Sequence, residues 1–144
     1  MNAICQLTRQ FGPVIGRILI ALLFIPAGIH KITGFEGTAG YMASKGLPLA
    51  EVLLVFTILV ELGGGLMILL GWRAREAALI LALFLIPVTV VFHGYWNIED
   101  AAQQSAQQIA FYKNLAILGG ALFIAAFGPG SYSLMKQDSS ELSQ

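Results

Sequence analysis

The side chains able to do chemistry in this chain are the few ionisable ones set inside apolar stretches. Glu61 lies in 52–72, about twenty residues that are otherwise apolar, hydroxyl-bearing or glycine. At ~1.5 Å per residue a helix of that length crosses the ~30 Å hydrocarbon core of a bilayer. Glu61 then falls near mid-membrane, where an unpartnered charge costs at least ~2.5 kcal/mol. It must face the protein interior, be protonated, or have a cationic or hydrogen-bonding partner. Arg17 stands about one turn inside the stretch 14–32. Its long side chain, reaching toward the bilayer centre, predicts an Arg17–Glu61 ion pair that could fix the register of two helices.

A second set gathers toward the opposite membrane face: His30 and Lys31, Glu51, His93 and Trp96, and Lys113 and Asn114. His93 shares a helix face with Thr89 and Trp96. An imidazole, two amines, a carboxylate and an amide thus come to one level from four segments. The candidates for ligand binding or proton carriage are Glu61, His93, Lys113, Asn114 and Lys31. Each also has a plain role. Lys31, Lys113 and Arg17 can snorkel to the interface; Trp72, Tyr95, Trp96 and Tyr112 suit an aromatic belt; His30 suits the interface. The two histidines lie on different segments without an E-x-x-H pairing, so no metal site is expected. Haem would require His30 and His93 at matched depth on facing helices.

The elements that must position these groups follow from composition. The chain is 57% hydrophobic and 11% charged, against about 25% charged for a soluble domain. Lipid is the implied solvent. Formal net charge is zero, which gives no reason to expect nucleic acid. The single Cys5 excludes an intramolecular disulfide and a C-x-x-C site. Four spanning helices are read at 14–32, 49–70, 77–95 and 109–127, giving an all-α four-helix membrane bundle over 13–132 between polar tails at 1–12 and 133–144. The first is too long and too charged for a cleaved signal peptide, and Pro13 suits its first turn. The Gly-rich 33–48 reads as a connection outside the membrane, and the polar 97–108 as another outside segment or the start of the fourth helix. Pro26 and Pro87 fall inside helices, as membrane bundles tolerate. ALLFIP at 21–26 echoes ALFLIP at 82–87, and Gly64-Gly65 echoes Gly119-Gly120. The echo would make helices one–two and three–four two copies of one hairpin. Arg9, Arg73, Arg75 and Lys136 on one side predict cytoplasmic termini.

The order and spacing of these motifs resemble the DoxX family of small bacterial inner-membrane proteins. The resemblance is carried by Arg17, Phe24, Ile25, Gly28, Lys31, Gly34 and Phe35; by Glu61, Gly64, Gly65 and Gly71; by His93; and by Lys113, Asn114, Gly119, Gly120 and Gly128–Gly130. It implies a four-helix bundle with cytoplasmic termini. It also implies an association with quinone-linked or thiol-handling membrane redox complexes, which makes quinone the expected cofactor and redox subunits the expected partners. The absence of cysteine from the bundle argues against independent thiol oxidation, and no self-contained catalytic motif is present. A quinone carbonyl would take donors from His93, Lys113 or Asn114, with Glu61 as proton carrier. The rival readings are a small-solute or proton permeation bundle, which would need a homodimer for a pore, and a purely structural partner of another membrane protein.

Overall fold

A computed structural model describes residues 2–135, and among these there are five helices and no strand. They are α1 (Ala3–Thr33), α2 (Phe35–Ser44), α3 (Ala50–Leu70), α4 (Ala74–His93) and α5 (Ala101–Phe127). All but α2 are long and apolar enough to cross a membrane. Their outward faces carry large apolar side chains such as Leu19, Leu22, Phe56, Leu83, Phe123 and Phe127. On a soluble protein such a surface would aggregate, whereas against acyl chains it is matched to its solvent.

With no hydrophobic force between helices in lipid, close approach has to come from small residues. The central helix α4 buries Ala74, Ala77, Ala78, Leu81, Ala82 and Leu85 along one stripe. Phe24, Val60, Ile68 and Ala121 close the core around it. Glycines set the register. A Cβ on Gly28 would come within 3.0 Å of Leu62, and one on Gly65 within 2.9 Å of Ile25, so these α1 and α3 positions lie side by side. A Cβ on Gly64 would come within 3.0 Å of Leu81, which sets α3 against α4 in the same way.

That register staggers the hairpin. With Gly28 opposite Leu62, the end of α1 lies opposite residue 57, so α3 overhangs it by seven residues, about 10 Å at ~1.5 Å per residue. The Gly-rich 33–48, expected as an open connection, fills this space with α2, whose Ala39 and Met42 pack on Leu54 beside Phe35, Ile58 and Phe92. The overhang supplies an apolar surface, and burying the Phe35–Ala39–Met42 stripe on it overrides the weak helix propensity of Gly37 and Gly40.

The other end differs from expectation too. The expected tail 1–12 is helical from Ala3, so Pro13 lies within α1 and not in its first turn. Residues 131–135 do not trail away. Leu134 N–H donates to Leu70 O at 3.1 Å, and Tyr132 stacks on Phe11 while its hydroxyl accepts from Gln10 Nε2 at 2.7 Å. The expected polar tail beyond residue 135, with Lys136, lies outside the described residues.

Candidate functional site

Glu61 sits where α3 changes its winding. Over Leu59–Gly63 the helix widens to a π turn, a form that is rare and concentrated at functional sites. The widened turn holds Glu61 facing the bundle interior, its side chain 8% exposed. Its partner is Lys31, near the last turn of α1, whose Nζ lies 3.1 Å from Oε1 and 2.8 Å from Oε2. The stagger explains the choice. Lys31 stands level with Leu59, only two residues along the axis from Glu61.

The expected Arg17–Glu61 pair is therefore absent. In the same register Arg17 is level with residue 73, twelve residues or about 18 Å from Glu61, beyond the reach of any side chain. Arg17 is buried at the terminal end of the bundle, where Nη2 donates to Tyr132 O at 2.8 Å. A Cβ on Gly71, whose φ of +67° already favours glycine, would fall on its guanidinium. Arg17 thus clasps the C-terminal segment over the α3–α4 turn. Its Nε and Nη1 have no hydrogen-bond partner among the described residues.

Lys31 and Glu61 form one wall of a cavity of about 240 Å³. Thr57 lies one turn from Glu61 on α3; Phe84, Val88, Phe92 and His93 come from α4, and Gln107 from α5. Helix α2 covers it with Thr38, Tyr41 and Met42. Tyr41 packs on Phe92 with ring centroids 5.8 Å apart, which ties this cover to α4. The result is a largely apolar chamber whose lining includes both an ion pair and an imidazole. His93 Nδ1 is 2.9 Å from Gln107 Oε1. With that oxygen as acceptor, Nδ1 carries the proton, and a neutral ring then leaves Nε2 as an acceptor.

The other expected site residues stand apart. Asn114 is buried outside the cavity, where Nδ2 donates to Thr89 Oγ1 at 3.1 Å and joins α5 to α4. Lys113, next in sequence, is turned outward and exposed, because adjacent helical residues point about 100° apart. Glu51 and His30 are exposed as well. Sequence reasoning missed Thr38, Tyr41 and Met42 because it did not read α2 as a helix. It missed Gln107 because nothing in a glutamine-rich run marks one position. Thr57 had a signal, four residues before Glu61 on one face, that points to a shared chamber as well as to close packing.

Residues 12–94 match the family model described as DoxX. The chain is 42% identical over 126 residues to the inner membrane protein YqjF of Escherichia coli K12, covering 88% of this chain and 91% of that protein. It is 35% identical over 121 residues to the inner membrane protein YphA of the same organism, covering 84% and 86%. A Surfeit locus protein 4 homolog of Schizosaccharomyces pombe is 22% identical over 127 residues, 88% of this chain but 37% of that longer protein. No solved structure matches.

Proposed function

The chain belongs to the DoxX family and is a multi-pass inner-membrane protein, and from there we propose that its cavity binds the ring of a membrane quinone in the service of a membrane redox system. The observation that carries this reading is the chamber itself. A carboxylate–ammonium pair and an imidazole line one cavity together with apolar and aromatic side chains, among helices long and apolar enough to cross a membrane. A site for a freely water-soluble substrate would not need this placement; a ring that reaches it through lipid does. Small-ligand sites in general are apolar pockets with a few converging polar groups.

The residues divide the work between two oxygens of such a ring. Lys31 Nζ is the donor for a carbonyl oxygen. His93 Nε2, left as acceptor by the Gln107 contact, receives a hydroxyl of the reduced ring. Glu61, beside Lys31, is placed to hold a proton released or taken up there. Phe84, Phe92 and Tyr41 supply aromatic surface for stacking. The interior toward the terminal end is filled by Phe24, Ile68, Leu81 and Ala121, which favours a closed binding site over a permeation path through one copy.

The arginines place the termini in the cytoplasm in this proposal, and the cavity then lies in the outer leaflet. The test is binding of a radiolabelled short-chain ubiquinol, kept reduced, to purified protein in mild detergent, since only the reduced ring carries the hydroxyl that His93 Nε2 accepts. Wild type should bind one equivalent, and His93→Ala should reduce the affinity by tenfold or more while the protein stays folded. Unchanged binding in His93→Ala, or none in wild type, contradicts the reading.

A further inference from the structure

We propose that the cleft between α1 and α5 at the terminal end of the bundle is a binding site for an anionic phospholipid. One acyl chain lies in the cleft and the phosphate is held by Arg9. The site is remote from the Lys31–Glu61 cavity and independent of its function.

The bundle is closed unevenly. Helices α4 and α5 pack along much of their length, whereas α1 meets α5 only sparsely. Ile20 approaches Gly120 closely enough that an added Cβ there would sit 3.5 Å from its Cδ1. Nearer the chain termini a groove of about 280 Å³ lies between Pro13, Gly16 and Ile20 on one side and Gly120, Phe123 and Ile124 on the other, with Gly128 at its end and Gly130 close beside Pro13. Gly16 leaves it unfilled, since a Cβ there would meet nothing within 4 Å. The groove walls are almost wholly apolar and lie within two candidate spans. In a bilayer an empty apolar groove forfeits dispersion contacts, and the chains around it are hydrocarbon.

Charge selects the kind of lipid. Residues 9, 13, 16 and 20 follow one another at helical spacing, so Arg9 continues the groove-lining stripe of α1. It lies about 6 Å beyond Pro13 at ~1.5 Å per residue, at headgroup depth when the groove holds the chain. Arg9 is exposed and has no ion-pair or hydrogen-bond partner among the described residues. The same end of the bundle carries Arg17, Arg73 and Arg75, and Glu76 is the only acidic residue there among the described residues. Glu76 is engaged by Arg73 Nε at 3.1 Å. An unpaired guanidinium in a basic field, above an apolar groove, fits a phosphodiester with a net negative charge, because interfacial basic residues each favour anionic lipid by a comparable increment.

The test is native mass spectrometry of the full chain released from nanodiscs of equal phosphatidylglycerol and phosphatidylcholine. Wild type should retain one phosphatidylglycerol. Arg9→Gln, an exposed change, should cut the preference for phosphatidylglycerol about fivefold. Gly16→Leu, whose side chain enters open space, should lose the retained lipid of either kind. Circular dichroism and gel filtration establish that both variants are folded. Added inorganic phosphate should leave the lipid in place; displacement by it would mean that only the headgroup is held and would overturn the seat for the chain. An unchanged lipid ratio in Arg9→Gln, or lipid retained by Gly16→Leu, overturns the proposal. So does a wild-type dimer without lipid that Gly16→Leu splits, which would make a second copy the occupant.

Discussion

Replacing Lys31 by methionine removes the cation from Glu61 while keeping most of the side-chain volume. The wild-type pair is short at 2.8 Å and Glu61 is 8% exposed, so the remaining carboxylate loses its charged partner in a largely buried position. Removing one partner of a buried pair costs ~3–5 kcal/mol, and a lone carboxylate at membrane depth at least ~2.5 kcal/mol. Because Lys31 is a quarter exposed, the lower end applies, about 3 kcal/mol. For a chain of this size that is a fall in melting temperature of roughly 10 °C. Glu61→Gln alone leaves an ammonium that can snorkel outward and should cost about 1 kcal/mol. The double variant should cost less than the sum by about 2 kcal/mol, the signature of direct coupling. The assay is thermal unfolding in detergent, followed by the fraction that remains monodisperse. Arg17→Met paired with Glu61→Gln is the control, and at about 18 Å the two should add to within ~0.5 kcal/mol. Additivity for Lys31 with Glu61, or coupling for Arg17 with Glu61, would refute the register from which the site is built.

Two further substitutions examine the packing. Gly65→Leu should abolish stable folding, because even a Cβ would come 2.9 Å from Ile25 Cγ1 and 3.3 Å from its backbone nitrogen, whereas Gly63→Ala meets nothing within 4 Å and should be neutral or slightly stabilising by helix propensity; melting temperatures of the two separate the cases. Asn114→Leu should lower stability by only about 0.6–1.7 kcal/mol, the range for interhelical hydrogen bonds in membranes, and should leave quinone binding intact; a loss of binding at unchanged stability would move Asn114 into the site.

Much of the architecture could be read from apolar run length alone. The four spans are uniform enough in composition, and long enough against the ~30 Å core, that the bilayer dictates them. What composition does not carry is the axial offset between helices. Taken from segment ends, Arg17 appears nearer in depth to Glu61 than Lys31 does. The contacts of Gly28 and Gly65 shift α1 against α3 and reverse that order. The offset also creates the overhang on which α2 folds, so a helix that its own residues barely favour was hidden along with the cover of the cavity. The π turn at Glu61 left no mark in the sequence, because its glycines serve close packing equally well. Lys113 and Asn114 show the limit of assigning depth without azimuth. They share a level, but one faces outward and the other braces α4.

The central claim, that the chamber between Lys31, Glu61 and His93 takes a quinone ring, is tested most directly by photocrosslinking. A photoreactive short-chain quinol, kept reduced, would be irradiated with the protein in native membranes and the adducts mapped by mass spectrometry. The account predicts labelling of Tyr41, Met42 and Phe92, competed by unlabelled quinol and lost in His93→Ala. Labelling spread over the lipid-facing residues of α3 and α5, without competition, would contradict it.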